Sequence, residues 1–435
     1  MKKKLFGLLG LSLALTVGLT ACSTDKNEEI DGSTDKNATG KKEVLEFFHG
    51  YHQAEDEWPV AQIMRDLYDD FAKEHATGDV EFKATPVSGS LLDLMNNKVA
   101  SGEFPDVIDL AGNAVSLAAI EQDLTLDLKP FIDANGLEKN VGINYTQNDV
   151  NGKIYTVHEQ LFTMGLWYNK DIFKSAGAKE PGNWATWADF SEAMEAVRKV
   201  DGVYAFGAGE PSLRLLNTAL GETEEGRNTL AGPLTKESIE SDAFVNSLTT
   251  VMTAVKENGS ENAGGDADTY SADFSQGKSG VFFNGVWAAG GMVDTSAIVP
   301  GIYPGDVAIS SAGGGITISN KMSEQKEQLA LEFLQYMTSD KVQEIIFTKV
   351  GANPSNQNIN ISELAVTSED PTVILLGEAI SLVNDAAYQV PTIGDSWGGD
   401  VNNALTNALS ESSASNIDIS KKVKETQDIL LALIG

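Results

Sequence analysis

Two hydrophobic periods alternate along this chain, and the switching between them outlines its architecture. Residues 44–48 form a short apolar strand run. Val60, Ile63, Met64, Leu67 and Phe71 then recur at helical spacing, which predicts a helix over 59–75. Pro59 suits a first helical position, and Asp56 and Glu57 suit the positive end of its dipole. Residues 80–85 alternate as a strand, 90–99 read as a helix, and 106–110 form a strand entered through Phe104-Pro105. Repeated strand–helix–strand units predict a doubly wound α/β fold with parallel strands. Ligands bind beyond the carboxyl ends of such strands, which places loops 48–58, 87–90 and 109–113 at the site.

A second region begins near Leu161. A strand ends at Leu166-Trp167-Tyr168, and Asn169 can cap a helix over 171–175. Thr186 and Asp189 have capping-box spacing ahead of Phe190, Met194 and Val197. Later segments predict a helix over 244–255, strands over 279–284 and 313–318, and helices over 325–337, 340–347 and 370–382. A closing helix spans 417–433.

The start of the chain follows a different pattern. Lys2, Lys3 and Lys4 precede an uncharged, mostly apolar run to Thr20, the layout of a secretory signal. The run is short for a membrane span, which needs about 20 residues. Leu19-Thr20-Ala21-Cys22 resembles the lipobox of bacterial lipoproteins, so residues 1–21 are expected to be a signal peptide and Cys22 the lipidation site. Two acyl chains give stable anchoring where one is marginal. Residues 23–42 are almost devoid of apolar side chains, and Ser-Thr-Asp-Lys-Asn occurs there twice. Such a segment cannot offset its ordering entropy, so a disordered tether is expected over 22–42.

Charge and cysteine count narrow the class. The formal net charge is −32, which argues against nucleic-acid binding through phosphates and against attraction to anionic lipid. The lipid alone would then hold the protein at the membrane. Cys22 is the single cysteine, so the folded part has neither disulfides nor thiolate metal ligands. About 390 residues follow the tether, which favours two lobes over one core.

Chemistry concentrates in few places. The loop Phe48-His49-Gly50-Tyr51-His52 holds two of the four histidines, with Glu55, Asp56 and Glu57 close behind. His49, Tyr51 and His52 are candidate ligand contacts. A metal site from His49, His52 and Asp56 has suitable ligand types but an unspecific spacing, and no metal or other cofactor is assigned. His158 lies just before the first crossover. Trp397 sits in a polar, glycine-rich turn, 393–399, where a core residue is less expected. Asp109 and Asn113 bracket the end of the third strand, with helix capping as the alternative role. No nucleophile elbow, phosphate loop or His-Glu-x-x-His is present, so no enzyme is expected. A glycosidase carboxylate pair is not excluded by composition.

The order of segments resembles the family of extracellular solute-binding proteins that serve sugar ABC importers. Phe104-Pro105-Asp106-Val107-Ile108-Asp109 is similar to the family's Pro-Asp strand. Asn151-Gly152-Lys153-Ile154-Tyr155 and then Leu166 to Phe173 resemble its first crossover and the strand–helix after it. Trp184-Ala185-Thr186-Trp187 resembles a family helix start. The stretch from Phe274 through Gly277 and Asn284-Gly285 to Trp287 is close to "F-x-x-G-x-x-A-M-x-x-N/D-G-x-W". Leu329 to Leu334, with Ser339 to Gln343, resembles its late paired helices.

The resemblance implies a type II periplasmic-binding-protein-like fold, two doubly wound α/β lobes joined by three crossing segments. The lobes are expected at 43–159 with 312–352 and at 164–308 with 354–435. They would close on ligand by hinging, with crossings near 160–164, 304–311 and 352–356. It further implies a sugar ligand, an ABC permease as partner, a monomeric state and a place on the outer face of the cell membrane. A polyamine, peptide or metal ligand is the alternative. A sugar offers an apolar ring face and a rim of hydroxyls, so aromatic rings and planar polar groups are the expected contacts. Trp287, after Asn284 and Gly285, matches a sugar-stacking ring of the family. Glu210-Pro211 matches a ligand-touching pair, with Arg214 one turn on. Asn113 stands where a carboxylate is frequent. Gln160 lies at the first crossing, and Gly314, within Gly313–Gly315, would let backbone approach the ligand.

Overall fold

The computed structural model describes residues 42–113, 115–260, 267–292 and 296–435. Cys22 and the signal and tether expected before Lys42 lie outside the described residues. Lys42–Gly435 forms one compact unit. Among the described residues, no helix is long and apolar enough to cross a membrane.

The first sheet has the strand order Ile316–Ile318, Val107–Asp109, Glu43–His49, Val80–Pro86. Glu43–His49 runs parallel to both neighbours, and Ile316–Ile318 joins the edge antiparallel. The helix Pro59–Glu74 buries Ala61, Met64, Leu67, Tyr68 and Phe71; Met64, Leu67 and Phe71 belong to the expected stripe, while Val60 and Ile63 are only partly buried. Phe47, Tyr68, Phe71, Phe82 and Phe333 meet there mostly edge to face and tilted, with Phe47 and Phe82 stacked, at centroid distances of 4.7–6.1 Å. This core draws on residues between Leu45 and Val157 and between Ile316 and Ala352. A second large core draws on residues between Met164 and Ile309 and again from Val390 to Leu430.

Three of the four strands in another sheet are the segments expected to cross between lobes. Asn353–Pro354, Gln160–Met164 and Val307–Ser311 lie side by side, all antiparallel, with Tyr388–Val390 parallel at the edge. Buried Asn353 donates from Nδ2 to the hydroxyl of buried Thr163 at 2.7 Å, tying the first and third of them together. Gln343, fully buried, donates to the carbonyls of Glu159 and Met337 and accepts from the Asn356 amide.

Most predicted elements appear within a few residues of their expected ends. The helix expected over 340–347 is different: it is α-helical over Asp340–Ile345, then widens into a π turn over Ile346–Val350. Gly351, at φ 76°, closes it in a left-handed conformation that favours glycine. The wider turn lets Ile346 join the first core while Phe347 joins an adjoining cluster with Trp167 and Phe282.

Candidate functional site

The site begins where the Val107–Asp109 strand ends. Asp109 accepts the Ala111 amide through Oδ1 at 2.9 Å, an Asx turn that drives Ala111 (φ 48°) and Gly112 (φ 90°) into left-handed conformations. The turn carries the Gly112 amide to the carbonyl of Gly314 at 2.6 Å. A Cβ on Gly112 would lie 2.2 Å from the Phe162 ring, so glycine is required by the close approach as well as by φ. At Gly315 the close approach alone requires glycine: an added Cβ would lie 2.4 Å from the His158 Cα.

Behind this turn lies a buried polar cluster. Donor atoms of Asp109, His158 and Glu159 all lie within 4.8 Å of one another, and none of these residues is more than 7 % exposed. Burial pushes the Asp109 carboxyl up to about 7, and the neighbouring Glu159 charge pushes the same way. Burial likewise raises Glu159, whose Oε2 has no hydrogen-bond partner. Burial lowers His158, against the opposing pull of Asp109. His158 Nδ1 lies 3.1 Å from the Ala312 carbonyl, so the Nδ1–H tautomer is assigned and Nε2 is left as an acceptor. Asp395, on the short helix Ile393–Trp397, accepts hydrogen bonds from Ser311 and Thr392, and burial raises its carboxyl too.

An aromatic corner borders the cluster. Phe162, half buried, packs on Gly112 and Gly313 and meets Trp287 edge to face at 5.5 Å. His158 is a further 5.5 Å neighbour of the same ring. The Trp287 indole lies across Gly285, where a Cβ would come 2.1 Å from it. Asn284 Oδ1 accepts the Gly285 amide and shapes that turn. Flat rings beside carboxyls, an imidazole and an amide can hold a ring molecule that has an apolar face and a rim of hydroxyls.

The other candidates divide. Gln160 joins the cluster: its Nε2 donates to the Tyr51 hydroxyl at 2.9 Å and more weakly to Glu159 at 3.3 Å. Tyr51 stacks on Trp58 at 5.4 Å, and burial raises its hydroxyl well above the usual range. His49 is buried, its Nδ1 accepts the Tyr51 amide, and burial with the nearby Arg65 charge lowers it to about 4. His52 is exposed and bonded locally to Gly50. Among the described residues, His49, His52 and Asp56 do not converge as metal ligands; Asp109, His158 and Glu159 do. Asn113 donates to the Leu110 carbonyl, and Glu210 pairs with Arg214 at 2.5 Å. Trp397 is half buried against Phe244 and donates to the Thr229 carbonyl, away from the Phe162–Trp287 corner in its contacts.

Glu159, Phe162 and Asp395 were not singled out by the sequence. Phe162 had a usable signal: it follows Gln160 by two positions on one strand and so shares its face. Glu159 had none, because an acid before a strand is ordinary. Asp395 lay in a turn read for its tryptophan.

The sheets and strand order are those of a two-lobed α/β solute-binding fold, and the candidate site lies beside the strand Gln160–Met164. The model of the bacterial extracellular solute-binding protein family matches residues 58–344, and the chain belongs to that family. A Streptococcus pneumoniae solute-binding protein, solved in complex with the blood group A trisaccharide, is 67 % identical. That match has a TM-score of 0.85 and covers 90 % of this chain and 100 % of the other. The arabinooligosaccharide-binding protein of Bacillus subtilis is 28 % identical over 207 residues, 46 % of this chain and 43 % of its own. The matched stretch therefore spans less than half of that curated relative. The maltodextrin-binding protein MdxE of Bacillus subtilis is 23 % identical over 384 residues, 81 % of each chain. The fold is of the periplasmic-binding-protein-like type II class.

Proposed function

We propose that this chain is the substrate-binding lipoprotein of an ABC importer, which captures an oligosaccharide between its lobes and delivers it unaltered to a membrane permease. One observation carries the reading: an aromatic corner, Phe162 and Trp287, stands beside the polar cluster Asp109–His158–Glu159 at the first crossing. The 67 % identity to a protein that holds the blood group A trisaccharide supports it and names the first ligand to try. The lobes are 43–159 with 312–352 and 164–308 with 354–435, and the monomer closes because ligand touches both lobes only when closed. Ligand contacts are Trp287, Tyr51, Gln160, Asp109 and the Gly314 region, with His49 supporting Tyr51. His52, Asn113, Asn284, Glu210 and Trp397 are more peripheral. The diacylglyceryl group sits on Cys22 and holds the protein on the outer face of the membrane.

Isothermal titration with the blood group A trisaccharide and a panel of other oligosaccharides tests the reading. Saturable binding that Trp287→Ala removes is expected. Binding of spermidine, with no saccharide bound, would replace sugar with a cationic ligand, for which the buried carboxyls are the favouring observation. Labelled palmitate should enter the wild-type protein in a bacterial host and be absent from Cys22→Ser.

A further inference from the structure

The polar cluster has an electrostatic property that its hydrogen-bonding role does not require. Asp109, Glu159 and Asp395 bring three carboxyls together around His158, from the first sheet, the first crossing and the Ile393–Trp397 helix. Among the described residues, no lysine or arginine hydrogen-bonds or ion-pairs with any of the three. Arg65 and Arg214 are engaged elsewhere. Arg65 donates to the carbonyls of Tyr51 and Gln53 and to Gln62. Arg214 is matched by Glu210.

We propose that this cleft reads the charge of its saccharide, accepting neutral sugars and rejecting those that carry a carboxylate, such as uronic or sialic acids. The proposal rests on the sugar-importer reading above and sharpens its substrate class. The carboxyls are buried, so their field reaches a bound sugar through protein rather than water and is weakly screened by salt. An anion seated on the Phe162–Trp287 corner meets like charge with no free cation to answer it. The neutral hydroxyl rim is instead served well, since Glu159 Oε2 has an unused acceptor site and His158 Nε2 is an acceptor.

The test compares two derivatives of one trisaccharide by titration calorimetry. One has a single C6 hydroxymethyl group oxidised to the carboxylate; the other has the same carbon as the uncharged carboxamide. The two match in size and differ in charge. The carboxamide should bind about 10–100-fold more tightly at pH 8. The ratio should shrink at pH 8 in Glu159→Gln. Equal affinities at pH 8, or a ratio unmoved by Glu159→Gln, would overturn the charge reading while leaving sugar binding standing. Failure of the unmodified trisaccharide and every other saccharide to bind would remove the sugar reading and this inference together. If Glu159→Gln does not fold, Asp395→Asn takes its place with the same two outcomes.

Discussion

Trp287 and Gly285 act as one unit at the smallest scale. The indole lies on the glycine, so Gly285→Ala must push the ring away from Phe162 or shift the turn. We expect Trp287→Ala to weaken saccharide binding at least tenfold by calorimetry with an unchanged melting curve. Gly285→Ala should weaken binding similarly and cost about 1–3 kcal/mol of stability. Asp109 gives a pH prediction of definite sign. Its folded-state carboxyl is raised from 3.8 to about 7 by burial and by Glu159, so the native state holds a proton that the unfolded chain releases between those values. The stability contributed by the protonated carboxyl is complete below about pH 4 and is lost as pH rises through 7. Asp109→Asn has no such loss. Urea melts at pH 4.5 and pH 8 should show the wild type losing about 3 kcal/mol relative to the variant as pH rises. A difference that is flat, or of opposite sign, would remove the buried-carboxyl account. His49, neutral in both proteins, cancels from this comparison.

At the scale of elements, buried polar side chains add to the apolar packing around the three crossing strands. Gln343 bridges Glu159, Met337 and Asn356 while fully buried, so Gln343→Ala removes partners of the Met337 carbonyl and the Asn356 amide at once, while the Glu159 carbonyl keeps the Ser355 amide. A loss of about 2–4 kcal/mol is expected, with altered ligand affinity, because the first and third crossings are no longer held in register. Gln343→Leu, which fills the space without the bonds, should not recover it. The same element shows what sequence reading captured and what it missed. Helices such as Pro59–Glu74 and Glu324–Met337 were legible because burial of one face imposes a local period. Asp109 and Gln160 were legible because strand ends and crossings are places where sites form. The pairing of Gln160–Met164 with Val307–Ser311 and Asn353–Pro354 was not, since it joins segments more than a hundred residues apart and leaves no local period. Asp395 meets Ser311 and His158 only through long-range packing beside that pairing, and so was invisible with it; Glu159 is next to His158 in the chain, but an acid before a strand gave no signal of its own. Trp397 shows the converse: a glycine-rich setting pointed to a ligand, while its ring packs on Phe244 and its N–H finds a backbone carbonyl.

For the whole molecule, two large cores flank a sheet that holds Gln160–Met164, Val307–Ser311 and Asn353–Pro354. The hinged closure proposed for it would convert contact with a small solute into relative motion of large bodies. Small-angle scattering should therefore register a smaller radius of gyration with saturating oligosaccharide than without, and no change for Trp287→Ala. The most direct test of the central claim is a crystal structure of this protein grown with the blood group A trisaccharide. One sugar ring should lie against Trp287 or Phe162, with its hydroxyls hydrogen-bonded to the Asp109–His158–Glu159 cluster. Clear density for the trisaccharide on an outer surface of either lobe, with that corner filled only by solvent, would contradict the account.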